Sequence, residues 1–219
     1  MGEIIIKGKP FYFEEISWLD NNDELNKDDA KYMLSTIKKV LEQNGVHFLL
    51  NFGTLLGAVR DHDFIGHDYD IDLAMHVKYR ERFLELIPEL YKLDIKLCRY
   101  FYKGTIYSFY YKGIVADFNI VFEPPFPYKY WFYQTLEKLY PKGFTKETEY
   151  LEFLGEQYEV PKNPERFLEY MYGKNWRIPQ KGVHARLFPK WMILEKFWYK
   201  LVHKFRYLRA KYIYHTDEY

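Results

Sequence analysis

Apolar positions along this chain change their period several times, and each change marks an element. Between residues 28 and 44, DDAKYMLSTIKKVLEQN places apolar side chains every three to four positions, with acidic residues at its start and Gly45 just past its end. That pattern predicts an amphipathic helix. The run His47-Phe48-Leu49-Leu50-Asn51-Phe52, bounded by Gly45 and Gly53, predicts a buried strand. Gly53 then predicts a tight turn, and Thr54 an N-cap ahead of a helix that opens Leu55-Leu56-Gly57-Ala58-Val59. Lys78 to Leu93 reads as a second amphipathic helix that Pro88 kinks or interrupts. Residues 95 to 122 read as two or three strands separated by hairpin turns at Lys103-Gly104 and Lys112-Gly113, and Pro124, Pro125 and Pro127 end the sheet. This order predicts an α/β (α+β) fold, a mixed β-sheet flanked by helices. Residues 1–185 would form one domain and residues 186–219 a helical appendage.

The segment Asp70-Ile71-Asp72-Leu73-Ala74-Met75 alternates strictly. On a strand, Asp70 and Asp72 point to one face and Ile71 and Leu73 to the other. Two carboxylates at adjacent same-face positions repel one another, so they stand in solvent or around a cation. Magnesium takes carboxylate, water and substrate phosphate in octahedral geometry, and a strand end with two aspartates suits it, with manganese as the substitute. A helix starting at Thr54 would aim free N–H groups at an anion nearby. The same logic finds a third carboxylate. In Ile114-Val115-Ala116-Asp117-Phe118-Asn119-Ile120-Val121-Phe122, Asp117 is a lone charge in a run rich in β-branched and aromatic residues, where it requires a partner. A metal held by Asp70 and Asp72 on a neighbouring strand would supply one; a hydrogen-bonding loop or a lysine would serve as well.

The stretch GTLLGAVR (53–60) followed by FIGHDYDIDLAM (64–75) resembles the LicD family, which includes fukutin and the fukutin-related protein. Members typically carry G-T-L-L-G-x-x-R and then F-I-P-W-D-D-D-I-D. A later match comprises Tyr158-Glu159-Val160-Pro161, then Phe167 to Gly173 (FLEYMYG), then Trp176 and Pro179. Together these span roughly residues 45 to 180. The resemblance implies a nucleotidyltransferase-type fold and a metal-dependent phosphotransfer site. It implies transfer of a phospho-substituent, such as phosphocholine or ribitol phosphate, from a CDP-activated donor (CDP-choline, CDP-ribitol) to a carbohydrate. Carried over by position, Gly53 and Thr54 would form a phosphate-binding turn, Asp70 and Asp72 would bind metal, Arg60 would clamp donor phosphate and Asp117 would supply the third acid. Gly66, His67 and Tyr69 stand where Pro, Trp and Asp are common, which leaves the donor headgroup open; His67 is either a donor contact or a solvated loop histidine. Two other readings stay open: transfer of a nucleoside monophosphate from an NTP, and a carbohydrate-binding or scaffold module with a relic site.

Bulk properties trim these possibilities. A net charge of +1 gives no global pull towards nucleic acid. One cysteine, Cys98, excludes an intrachain disulfide framework, and one cysteine with scattered histidines does not make a tetrahedral zinc set. No apolar run approaches the ~18 residues of a membrane span, and no N-x-[ST] acceptor occurs. A cytoplasmic location is therefore expected, with a peripheral place at the inner face of the membrane. Trp191, Leu194, Trp198, Leu201, Phe205, Leu208 and Tyr212 form an apolar seam flanked by lysines and arginines across residues 190–212. That helix suits a membrane surface carrying a lipid-linked acceptor, or a dock on its own domain or on a second copy. Aromatic residues make up 21% of the chain, and PYKYWFYQTLEKLYPKGF within residues 126–144 is the candidate acceptor surface.

Overall fold

The first helix forms where its pattern predicts, as α1 (Lys27–Gln43), with Asn26 capping it by accepting from the Asp28 and Asp29 N–H groups. The computed structural model describes residues 1–16, 25–66, 68–101, 104–124, 128–130, 132–135, 139–142 and 146–179. An N-terminal hairpin that the hydrophobic pattern does not announce precedes α1: β1 (Gly2–Ile6) and β2 (Lys9–Phe13). After α1 come β3 (Leu49–Leu50), α2 (Phe52–Arg60), β4 (Asp70–His76) and α3 (Arg80–Lys92), then β5 (Lys96–Phe101), β6 (Ile106–Tyr111) and β7 (Ile114–Val121). Short hairpins β8 (Phe132–Gln134) with β9 (Leu139–Pro141) and β10 (Thr148–Phe153) with β11 (Glu156–Pro161) lead to α4 (Pro164–Tyr172).

Five strands make the central sheet, in the order β3-β4-β7-β6-β5. β4 and β7 are parallel, and the other neighbours are antiparallel, so the mixed sheet expected from the sequence is present. The β6–β7 connection is the two-residue turn predicted at Lys112-Gly113, with φ of +45° and +90°, the left-handed pair that a tight hairpin requires. Pro88 lies inside α3 without ending it.

Two expectations near α2 need correction. Only Leu49 and Leu50 of the apolar run 47–52 pair as a strand, and Phe52 already opens the helix. The N-cap is Asn51, whose backbone is extended and whose carbonyl accepts from Leu55 N–H; it is not Thr54. Thr54 is committed elsewhere, as its contacts with β4 show below.

Alternation along the strands divides the sheet into two unlike faces. Ile71, Leu73 and Met75 on β4 and Ala116, Phe118 and Ile120 on β7 are buried. The Phe83 ring of α3 lies 4.8 Å from Phe118, 5.7 Å from Phe109 and 5.6 Å from Tyr107, and Phe48 approaches Phe118 at 6.0 Å. Met33, Leu34, Ile37 and Leu41 of α1 complete this core. Asp70, Asp72 and Asp117 stand on the other face, each half-buried. The predicted helix over 190–212, and with it the 186–219 unit, lies outside the described residues. Among the described residues no helix is long and apolar enough to cross a membrane.

Phe83 is fully buried and touches three other rings of the core. Truncating it in a Phe83→Ala variant is expected to cost about 3–5 kcal/mol through lost burial and a residual cavity. Urea unfolding followed by circular dichroism measures this.

Candidate active site

Strand register assembles the site. Asp72 stands opposite Asp117 across the parallel β4–β7 pair, Asp117 opposite Ser108, and Ser108 opposite Arg99. One row across four strands therefore reads Asp72, Asp117, Ser108, Arg99. Asp70, two residues before Asp72, shares its face.

Helix α2 and the residue before it fix Asp72, at the β4 end of this row, from three directions. Gly53 N–H donates to Asp72 Oδ2 at 3.0 Å, Asp72 N–H donates to Thr54 Oγ1 at 2.8 Å, and Asn51 N–H donates to the Asp72 carbonyl at 3.0 Å. The Gly53-Thr54 pair thus serves the carboxylate, with the start of α2 turned towards Asp72. Gly53 does not adopt a left-handed backbone. Its lack of a side chain matters for another reason: a Cβ there would stand 2.5 Å from Asp68 Oδ2. Gly57, one turn on, is similarly closed off by the Asp63 carbonyl, 2.5 Å from where its Cβ would be. The GTLLG segment is a seat for the loop that delivers the aspartates.

Asp70, Asp72 and Asp117 are each half-buried. Burial, reinforced by Asp68 and Asp117, pushes the Asp70 carboxyl up to about 7. Asp72 rises well above the usual carboxylate range, again by burial first and then by Asp70 and Asp68, with the Gly53 N–H opposing. Asp117 is raised by burial, while Ser108 and Arg99 pull the other way. Ser108 Oγ faces Asp117 across the strands but falls short of hydrogen-bond geometry, and Asp117 Oδ1 is buried with no hydrogen-bond partner among the described residues. Among the described residues no three histidine, cysteine, aspartate or glutamate side chains are gathered closely enough to hold a metal ion together. Strand register brings Asp70, Asp72 and Asp117 to one face of the sheet without closing them into a ligand set.

The predicted residues are distributed as follows. Asp70, Asp72, Asp117, Gly53 and Thr54 come together. Arg60 sits at the far end of α2, where its Nε and Nη2 bond the Asp61 carboxylate at 2.8 and 2.7 Å. His67 lies outside the described residues. Four residues join the site without having been singled out. Asp68 continues the 68, 70, 72 alternation and acts on both neighbours. Arg99 favours the charged forms of Asp70 and Asp117, and only strand register places it there. Tyr140 donates to Asn51 Oδ1 at 3.3 Å, and burial raises its hydroxyl pKa, as does the Asp72 charge. Tyr172, which precedes Gly173 at the end of α4, is raised by burial and by Asp72, and Arg60 is near enough to oppose that rise.

Residues 45–163 match the LicD/FKTN/FKRP nucleotidyltransferase domain, more than half of the chain. The chain belongs to the LicD family. The matched range covers the α2 seat, the aspartate strand and Asp117. No curated protein matches the chain. Among solved structures, the antibiotic-resistance factor ANT(2'')-Ia in solution is similar at 14% identity, with 86% of this chain and 98% of that one covered and a TM-score of 0.48. The crystal structure of ANT(2'')-Ia in complex with adenylyl-2''-tobramycin is similar at 16% identity, with 82% and 94% covered and a TM-score of 0.45. As a LicD-family member with a mixed sheet carrying this motif, the chain is a transferase of the nucleotidyltransferase type.

The raised Asp70 carboxyl has a stability consequence. The folded state holds that proton more tightly than the unfolded chain, so the group costs nothing below about pH 4, and its cost grows as pH rises from about 4 through about 7. In EDTA, Asp70→Asn is therefore expected to melt above the parent at pH 8, with the difference closing as pH falls to 4. A parent-like pH profile in the variant would show that Asp70 titrates normally.

Proposed function

We propose that this LicD-family chain is a magnesium-dependent phosphotransferase that moves a phospho-substituent, phosphocholine or an alditol phosphate, from a CDP-activated donor to a hydroxyl of a cell-surface glycan. The observation that carries this reading is the Asp70, Asp72 and Asp117 bank on one sheet face, with Asp72 pinned by Gly53, Thr54 and Asn51. Magnesium binds by one or two carboxylates and completes its octahedron with water and substrate phosphate, so an open bank of this kind fits it better than a closed cage would. Asp70, Asp72 and Asp117 are the residues that would hold it, and manganese has the same ligand preference. When bound, the ion supplies charge neutralisation at the diphosphate.

The chain's own residues account for the remaining requirements. The acceptor oxygen attacks the phosphorus of the transferred group, and the bond to the CMP oxygen breaks in line. The hydroxyl proton needs an acceptor within hydrogen-bond reach, and Asp117, whose buried Oδ1 has no hydrogen-bond partner among the described residues, is the candidate. Arg99, in the same row, brings a fixed positive charge to the face where negative charge accumulates. Thr54 and Gly53 act through Asp72 and are positioning residues.

The test is product analysis. Incubation with CDP-choline, CDP-ribitol, CDP-glycerol or NTPs in magnesium is expected to release CMP from one CDP donor, with the release abolished by EDTA. Asp72→Asn should lower turnover by more than about 100-fold and Thr54→Val by about 10–100-fold, the scale of losing a ligand against losing a ligand's support. Pyrophosphate release from an NTP, without CMP, would replace this reading with nucleotidyl transfer.

A further inference from the structure

Strand β5 does not keep its alternation. Leu97 stands opposite Phe109 and Tyr100 opposite Tyr107, and both partners pack on Phe83 behind the sheet. Residues three apart on a regular strand point to opposite faces, so an extra residue must lie between Leu97 and Tyr100. A β-bulge supplies it: Cys98 is the added residue, and Arg99 takes the place opposite Ser108. With unbroken pairing Cys98 would stand opposite Ser108, and Arg99 would stand opposite Tyr107 and point into the core. The bulge turns Arg99 onto the face that carries Asp70, Asp72 and Asp117. Re-aiming a side chain is what bulges beside active sites do.

This bulge is fixed from two sides. Cys98 is fully buried; its Sγ donates to the Ser108 carbonyl at 3.2 Å, and its own carbonyl accepts from Ile16 N–H at 3.3 Å. Ile16 follows the β1–β2 hairpin, which packs against β5 and lies outside the matched range 45–163. On the site face the Arg99 guanidinium lies 5.3 Å from the centre of the Phe101 ring, two residues on. Its charge acts on both Asp70 and Asp117, while the buried Asp117 Oδ1 has no hydrogen-bond partner among the described residues. A guanidinium in this position carries a permanent charge and a planar fork that matches two phosphate oxygens.

We propose that Arg99 holds the diphosphate of the substrate on the β5 side of the carboxylates, and that the Cys98 bulge, anchored by Ile16, is the device that positions it there. The assignment rests on the phosphotransferase reading for what the diphosphate belongs to, and on strand register for Arg99 and its support. It gives the N-terminal segment a part in the site that its distance along the chain conceals.

The full chain is titrated by calorimetry with inorganic pyrophosphate at saturating magnesium. The parent is expected to bind, Arg99→Gln to bind about tenfold more weakly or worse, and Arg99→Lys to fall between them. Magnesium alone should bind Arg99→Gln no more weakly than the parent, because a positive charge has been taken from beside Asp70 and Asp117. Ile16→Pro removes the N–H that anchors the bulge and changes no residue of the sheet. It should weaken pyrophosphate binding in the parent and have no further effect in the Arg99→Gln variant, the coupling expected of residues that act as one unit. A parent that does not bind, Arg99→Gln binding like the parent, or weaker magnesium binding by that variant would each overturn the proposal. So would an Ile16→Pro effect that is absent, or equal in the two backgrounds. CMP release from CDP donors is followed separately, so failure of the phosphotransferase reading shows there while the pyrophosphate titrations decide Arg99.

Discussion

Asp72 is held by its amide, its carbonyl and its carboxylate at once, through Thr54, Asn51 and Gly53. The rest of the site depends on that clamp, because nothing about a strand would otherwise keep a repelling carboxylate pointed at its neighbours. Burial does most to raise the Asp72 pKa, and Asp70, Asp68 and Asp117 raise it further. A freely rotating side chain would relieve this by turning to water. The helix start prevents it: the Gly53 N–H offers a charge-assisted bond that favours the ionised form, and the positive end of the helix dipole points the same way. The glycine is required by the crowding itself, since Asp68 occupies the space a side chain would need.

The alternation that a reader sees in Asp-Ile-Asp-Leu therefore has two structural consequences of opposite sign. Ile71, Leu73 and Phe118 face α1 and α3 and belong to the most deeply buried part of the molecule. Burying a side chain of that size contributes about 1.5–3 kcal/mol each. A carboxyl moved from 3.8 to about 7 costs on the order of 4 kcal/mol at alkaline pH. Apolar burial on one face thus works against the cost of raised carboxyls on the other. The aromatic excess of the chain fits the same account, because Phe83, Phe109, Phe118 and Tyr107 form a ring cluster directly behind the aspartates.

Local features were legible where they depend on period alone. The α1 helix, the Lys112-Gly113 turn, the aspartate strand and the Asp117 strand all follow from spacing, and the motif resemblance pointed to the family. Features that depend on register were not. No property of Lys-Leu-Cys-Arg indicates that Arg99 faces Asp117; that follows from an antiparallel order in which β6 lies between β5 and β7. The Thr54 reading failed for a related reason. A threonine after a glycine has the composition of a cap, but its hydroxyl found a partner on β4, eighteen residues away, and Asn51 took the capping position. Local propensity was overridden by a tertiary hydrogen bond, and this happened at the site itself, where such departures are expected.

The two motifs of the sequence resemblance, the second of which runs beyond the matched range 45–163, are physically connected. Phe167 of α4 packs at 5.5 Å on Tyr140, Tyr140 bonds Asn51, and Asn51 bonds Asp72. The later segment, weak as a sequence signal, is thereby the outer support of the same aspartate that the first motif presents. Tyr172 extends the connection, since its hydroxyl responds to both Asp72 and Arg60. Arg60 is paired with Asp61 and stands at the opposite end of α2 from the clamp, so its connection to the carboxylates runs through Tyr172. A signature that looks bipartite along the chain is, in space, a single shell around Asp72: α2 in front, the core behind, and α4 at the side.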